Sequence, residues 1–291
     1  MTNGKLSAPF PKPDALTPAE IEVKAEDLGV SKTSMSIKQS FILSLMAGAF
    51  ISMGAMFFTL VVGDPDLPFA VQRVFGGCLF SLGLLLVVVC GAELFTGNTM
   101  IVMSAASKKI SWGSVWKNWI VVFVGNFIGS LVMVALVYLS GMPSMDGGQV
   151  GQTMVSVASG KMSADWVTLF AKGILCNFLV CLAVWMAYAS KTVVDKMFAV
   201  LLPIAAFVAC GFEHCVANMF FLPMGILLVS VGVDPAALDP TTISWAGALW
   251  NWSATVPGNI VGGALFVGMM YWIAFHKKEP AGALVSVMVY S

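Results

Sequence analysis

Long apolar runs separated by short polar connections dominate the chain, at residues 41–62, 74–103, 119–139, 166–189, 197–233 and 250–275. A hydrocarbon core about 30 Å thick takes roughly 20 residues of helix, so each run is long enough to cross it. The pattern predicts an all-α integral membrane protein with six spans. Two runs are too long for one straight helix. Residues 74–107 hold 34 positions with a single charge, Glu93, and residues 197–233 hold 37, interrupted near the middle by Glu213 and His214. Gly91 and Gly97 in the first, with Gly211 in the second, weaken helix continuity there. Spans two and five are therefore predicted to be broken at the midplane into half-helices.

The same two places anchor an internal repeat. Gly91, Glu93 and Asn98 recur as Gly211, Glu213 and Asn218, all 120 residues later. Asn118-Trp119, Gly125-Asn126 and Gly129 recur as Asn251-Trp252, Gly258-Asn259 and Gly262, 133 residues later and in the same order. Three spans per copy force the second copy to insert upside down, which sets the two broken elements face to face near the bilayer centre. The predicted organisation is a polar arm over 1–35, a six-span domain over 36–275 with repeats at 36–142 and 164–275, and a tail over 276–291.

Composition and charge place this frame. The chain is 58% hydrophobic and 10% charged with a mean hydropathy of +0.89, more apolar surface than a soluble fold of 291 residues can bury. Lysines mark alternate connections: Lys24, Lys32 and Lys38 before span one, Lys108, Lys109 and Lys117 after span two, Lys191 and Lys196 after span four, and Lys277 and Lys278 after span six. By the positive-inside rule these segments and both termini are cytoplasmic. The arm lacks a basic segment followed by an apolar one, so no cleaved signal is expected. A net charge of zero gives no sign of a nucleic-acid partner. The six cysteines form no CxxC pair, which argues against disulfides and zinc and for packing roles.

Candidate chemistry follows from the breaks. Irregular backbone at membrane depth is tolerated only where it is buried in protein or lines a wet cavity. Half-helix N-termini there carry partial positive charge and favour an anion. Glu93 and Glu213 are expected to accept hydrogen bonds from backbone N–H groups freed at the breaks, with Asn98 and Asn218 beside them. His214, next to a break, can change charge near neutral pH and is read as functional, whereas His276 is read as a surface residue.

These residues resemble the formate/nitrite transporter family. Its first motif is matched by Cys90-Gly91-Ala92-Glu93-Leu94-Phe95-Thr96-Gly97, its second by residues 173–183 around Asn177, and its histidine-bearing loop by residues 211–219. The resemblance spans about residues 35–275 and is strongest to the family's formate channels, which commonly carry Asp where this chain has Glu93. It implies an aquaporin-like bundle assembled as a homopentamer in the bacterial inner membrane, passing formate in either direction, with proton linkage and no cofactor. It also implies a central His214, Thr96 bonded to it, Asn177 as a nearby donor, and apolar constrictions at Phe80, Leu84, Leu94 and Phe207. The resemblance further implies that Lys161 adds positive potential at the outer vestibule. A gate is implied as well, made of exposed arm carboxylates and a mobile 96–100 loop.

Nitrite or hydrosulfide is the alternative substrate, since each shares formate's charge and approximate size. A neutral-solute channel would carry paired Asn-Pro-Ala motifs, which this chain lacks. An intramembrane enzyme using Glu213, His214 and Cys215 has no H-E-x-x-H or similar metal spacing behind it.

Overall fold

The computed structural model describes residues 15–233 and 242–276; the start of the arm, the connection with Asp234 and Asp239, and the tail beyond His276 lie outside the described residues. The described chain is helical from Pro18 to Phe275 apart from short connections. Among the described residues, five helices are long and apolar enough to cross a membrane: α2 (Ile37–Val62), α3 (Phe69–Cys90), α6 (Trp112–Leu139), α8 (Trp166–Ala189) and a continuous helix over Trp245–Phe275. The last comprises α11 (Trp245–Ile260), a π-helical stretch (Val261–Met269) and α12 (Met270–Phe275). The run at 197–233 is divided into α9 (Val193–Ala209) and α10 (Cys215–Ser230).

Polar side chains set where these helices begin. Ser36, Ser111, Asp165 and Ser244 each accept the backbone N–H three residues on, and Thr192 forms a capping box with Asp195. Between the helices the usual polarity is reversed. Asn126, Asn177, Asn218, Asn251 and Asn259 are fully buried, while Phe69, Leu139, Leu202 and Phe198 face outward. A surface of that kind suits lipid, and the buried amides are tolerable because the NH2 group of each donates a hydrogen bond.

Two further helices stand outside the predicted spans. α1 (Pro18–Ser34) opens on a Thr17/Glu20 capping box, so the second half of the arm is ordered. α7 (Gln149–Met162) buries Val150, Met154, Ala158 and Met162, one residue per turn.

After α3 the chain leaves the helix at Gly91 (φ 79°), runs extended to Leu94 and re-enters helix as α4 (Phe95–Asn98), followed by a 3-10 turn (Thr99–Ile101) and α5 (Val102–Ala106). Between α9 and α10 it does the same at Gly211 (φ 72°). Both left-handed positions are glycine, the residue that adopts them without strain. The expected mobile loop over 96–100 is instead helical and 3-10, with Thr96, Asn98, Thr99 and Met100 buried.

Candidate permeation site

The two interruptions are held by the same set of side chains, one set from each half. Asn126 Oδ1 accepts from Phe95 N at 2.9 Å while its amide donates to Glu93 O and Ser44 O. Asn259 Oδ1 accepts from Cys215 N at 2.9 Å while its amide donates to Glu213 O and Gly173 O. Each asparagine thus fastens the extended residue on one side of the break and the first helical N–H on the other. The glycines around them in the repeated motif permit the approach: a Cβ at Gly129 would run into the Leu45 carbonyl and one at Gly262 into the Ile174 carbonyl.

The carboxylates do something other than expected. Glu93 and Glu213 accept from no freed backbone N–H, because Asn126 and Asn259 already take those donors. Glu93 instead accepts from the Asn98 amide at 2.7 Å and pairs with Lys32 of α1 at 2.6 Å. Glu213 accepts from the Asn218 amide at 2.7 Å and pairs with Lys161 of α7 at 3.0 Å. Asn118 and Asn251 receive the other Asn98 and Asn218 bonds. The helix before each repeat's first long span thus delivers, in its last turn, the lysine that neutralises that repeat's buried carboxylate.

His214 sits where the halves meet. Ala217 N donates to Nδ1 at 3.0 Å, so this nitrogen carries no proton and the neutral ring is the Nε2–H tautomer. Nε2 lies 3.0 Å from Thr96 Oγ1 and donates to it. Protonating Nδ1 would break the Ala217 bond and set N–H against N–H. Asn177 is placed behind Thr96. Its amide is committed to the carbonyls of Thr96 and Asn259 and to Thr99 Oγ1, so it fixes the threonine and lines neither cavity.

Two cavities approach this bridge. One, about 540 Å³, is lined by Phe80, Phe207 and His214 and carries Arg73, Lys161 and Lys172 against Glu213. The other, about 440 Å³, is lined by Leu84 and Leu94 and carries Lys24, Lys32 and Lys196 against Glu93. Both are cationic on balance, a field that concentrates small anions. Between them stand Phe80, Phe207, Leu84 and Leu94, each at most 3% exposed. The Phe80 and Phe207 rings meet edge to face at 5.7 Å, and Phe207 stacks on His214 at 5.9 Å.

Sequence reading named Thr96 and His214, which the structure brings within hydrogen-bond distance, and Phe80, Phe207, Leu84 and Leu94, which it buries between the two cavities. It left Asn126, Asn259, Lys32 and Arg73 without a role. The asparagines were already marked by the repeated motif. Arg73, which clamps the carbonyls of Val208 and Ala209 ahead of Gly211, carried no local signal.

The family model described as formate/nitrite transporter matches residues 19–273. The chain is 40% identical over 285 residues to the formate channel FocA of Escherichia coli K12, covering 94% of this chain and 99% of the relative. It is 39% identical to the formate channel FocA of Haemophilus influenzae, covering 88% and 93%. A solved pentameric formate channel with formate bound superposes with a TM-score of 0.76 at 39% identity, covering 83% of this chain and 98% of that one. On this evidence the chain belongs to the formate/nitrite transporter family and is a transport protein, not an enzyme.

Proposed function

We propose that the chain passes formate across the membrane, from one cationic cavity to the other past His214. The observation that carries this is the Thr96–His214 bridge, set among Phe80, Phe207, Leu84 and Leu94 between two lysine-lined cavities. The formate-channel relatives support the choice of formate over nitrite or hydrosulfide.

A bare anion is expensive in a low-dielectric constriction unless it is paired or neutralised. Arg73, Lys161 and Lys172 draw it to one mouth, and Lys24, Lys32 and Lys196 to the other. At the barrier the donor is the Nε2–H of His214, which is buried and hydrogen-bonded to Thr96 until a solute displaces that bond. A proton arriving at Nδ1 displaces the Ala217 bond and makes an imidazolium. Transfer of the Nε2 proton to a formate oxygen then leaves neutral formic acid and a neutral ring. The apolar side chains exclude hydrated ions and admit the acid. Proton-linked passage in either direction follows, with the bridge to Thr96 holding Nε2 toward the path.

In the same reading, α3 with Phe95–Ala106 and α9 with α10 are single spans broken near the midplane, which gives six spans in two inverted repeats over 36–142 and 164–275. Lysine placement supports the topology. Lys24, Lys32 and Lys196 gather at one cavity and Lys109 pairs with α1, all at the end assigned to the cytoplasm, while Arg73 and Lys161 share the opposite cavity. The N-terminal arm is cytoplasmic, the apolar outer faces meet lipid or neighbouring subunits, and the assembly is a homopentamer of the bacterial inner membrane, as in the pentameric structural relative.

Uptake of labelled formate into proteoliposomes, with nitrite and hydrosulfide as competitors, tests the substrate. Saturable uptake displaced most weakly by the two competitors is expected. Uptake of nitrite exceeding that of formate, or none above empty liposomes, would overturn the assignment.

A further inference from the structure

Of the arm's carboxylates, expected to be exposed, Asp27 is so, whereas Glu22 and Glu26 are buried. Glu22 and Glu26, one turn apart on α1, are 1% and 2% exposed, and they face His276 at the end of α12. His276, expected at the surface, is half-buried. Its Nδ1 lies 3.0 Å from Glu26 Oε1 and 3.5 Å from Glu22 Oε1. We propose that Glu22, Glu26 and His276 form a binding site for a divalent transition-metal ion of the zinc type, which ties α1 to the C-terminal end of the last long helix.

Several independent features point to a cation. The three ligand atoms lie within 4.8 Å of one another. Ligands at about 2.0–2.1 Å from a tetrahedral ion stand roughly 3.3 Å apart, a separation the two histidine–carboxylate distances bracket. Glu22 Oε1 is buried without a hydrogen-bond partner, a vacancy in bonding that a metal would fill.

The surroundings are those of a supported ligand set. His276 stacks on Trp272 at 4.9 Å, and Trp272 Nε1 donates to Ser107 Oγ, which itself donates to Glu26 Oε1. These contacts fix the imidazole and one carboxylate, as outer partners do at metal sites. Lys109 is the competing cation. It holds Glu26 Oε2 at 2.8 Å and Asp27 at 2.9 Å, and leaves Glu26 Oε1 facing the histidine. Once metal binding displaces the proton between Glu22 and Glu26, these two and Asp27 against Lys109 leave two negative charges, which a divalent ion balances. A cavity of about 780 Å³ opens on Glu22, Glu26 and His276, giving an entry route and room for a water as fourth ligand. Carboxylate and imidazole donors together suit zinc.

The test is calorimetric titration of the full-length assembly, purified with a histidine-free tag, with Zn²⁺, and absorption spectroscopy with Co²⁺ as a visible probe. One Zn²⁺ per chain and a tetrahedral Co²⁺ spectrum are expected. Binding should weaken at least about tenfold in Glu22→Gln and in His276→Asn, with oligomer elution and formate uptake unchanged. His276→Asn, at the helix end, keeps the test open if Glu22→Gln fails to fold. No saturable binding by the wild-type chain, equal binding by the variants, or a thiolate charge-transfer band assigning the metal to Cys90 or Cys210, would overturn the proposal.

Discussion

Thr96 Oγ1 and His214 Nε2, 118 residues apart in sequence, meet at 3.0 Å, and each stands at the first turn of a helix that restarts after an extended break. The contact joins the two halves at the point where both cavities end. It also fixes the proton on Nε2, because Nδ1 is taken by Ala217 N–H. The threonine hydroxyl is therefore the partner of the one polar hydrogen that the ring presents to the path.

Removing that hydroxyl while keeping the side chain's shape should change conduction before it changes folding. In Thr96→Val the imidazole loses a neutral hydrogen bond worth about 1 kcal/mol, roughly a fivefold effect on rate. Formate uptake should fall by that order with membrane insertion and oligomer yield preserved. Parallel loss of assembled protein and uptake would show that Thr96 is needed for folding alone.

The two lysine–glutamate pairs should behave as buried pairs. Glu93 and Glu213 side chains are 6% and 5% exposed, so removing either lysine leaves a carboxylate without its countercharge. Lys161→Met should lower stability by about 3 kcal/mol, and Lys161→Met/Glu213→Gln should recover most of that loss. Thermal unfolding of the detergent-purified assembly measures both. A single variant as stable as the wild type would show that Glu213 is held by Asn218 and Asn251 without help from α7.

The asparagine clamps should be equivalent in kind. Asn126→Leu and Asn259→Leu each remove one acceptor and two donated bonds from buried backbone groups. Each should cost at least about 2 kcal/mol, since buried polar groups are left unmet. Yield of folded oligomer reports it. Normal yield from either variant would contradict the assignment of these residues as the fasteners of the breaks.

Selectivity should reside in the apolar side chains beside the bridge. Leu94→Ala and Phe80→Ala enlarge the passage on either side of His214, and acetate uptake should rise relative to formate uptake in both. An unchanged ratio would place the size filter elsewhere.

Much of this was legible because the breaks left local marks. Gly91 and Gly211 at positive φ, a lone acid beside each, and the repeated asparagines all report backbone geometry that only particular residues supply. α7 went unread, because although Val150, Met154, Ala158 and Met162 recur every fourth residue, glycines and polar residues between them obscure the period. The partners of Glu93 and Glu213 were not legible. They come from helices 61 and 52 residues away, and nothing local to a lysine says which buried acid it reaches. The burial of Glu22 and Glu26 was hidden for the same reason, as residues 18–34 read as part of a polar arm until α12 and Ser107 are set against them.

The most direct test of the central claim is formate uptake into proteoliposomes by wild type and His214→Asn at about pH 5 and about pH 7.5, which bracket the ordinary titration of imidazole. The account predicts faster uptake at the lower pH for wild type, with that dependence lost in the variant. Uptake with the same pH response in both proteins would contradict proton transfer at His214 and leave the histidine as a structural donor to Thr96.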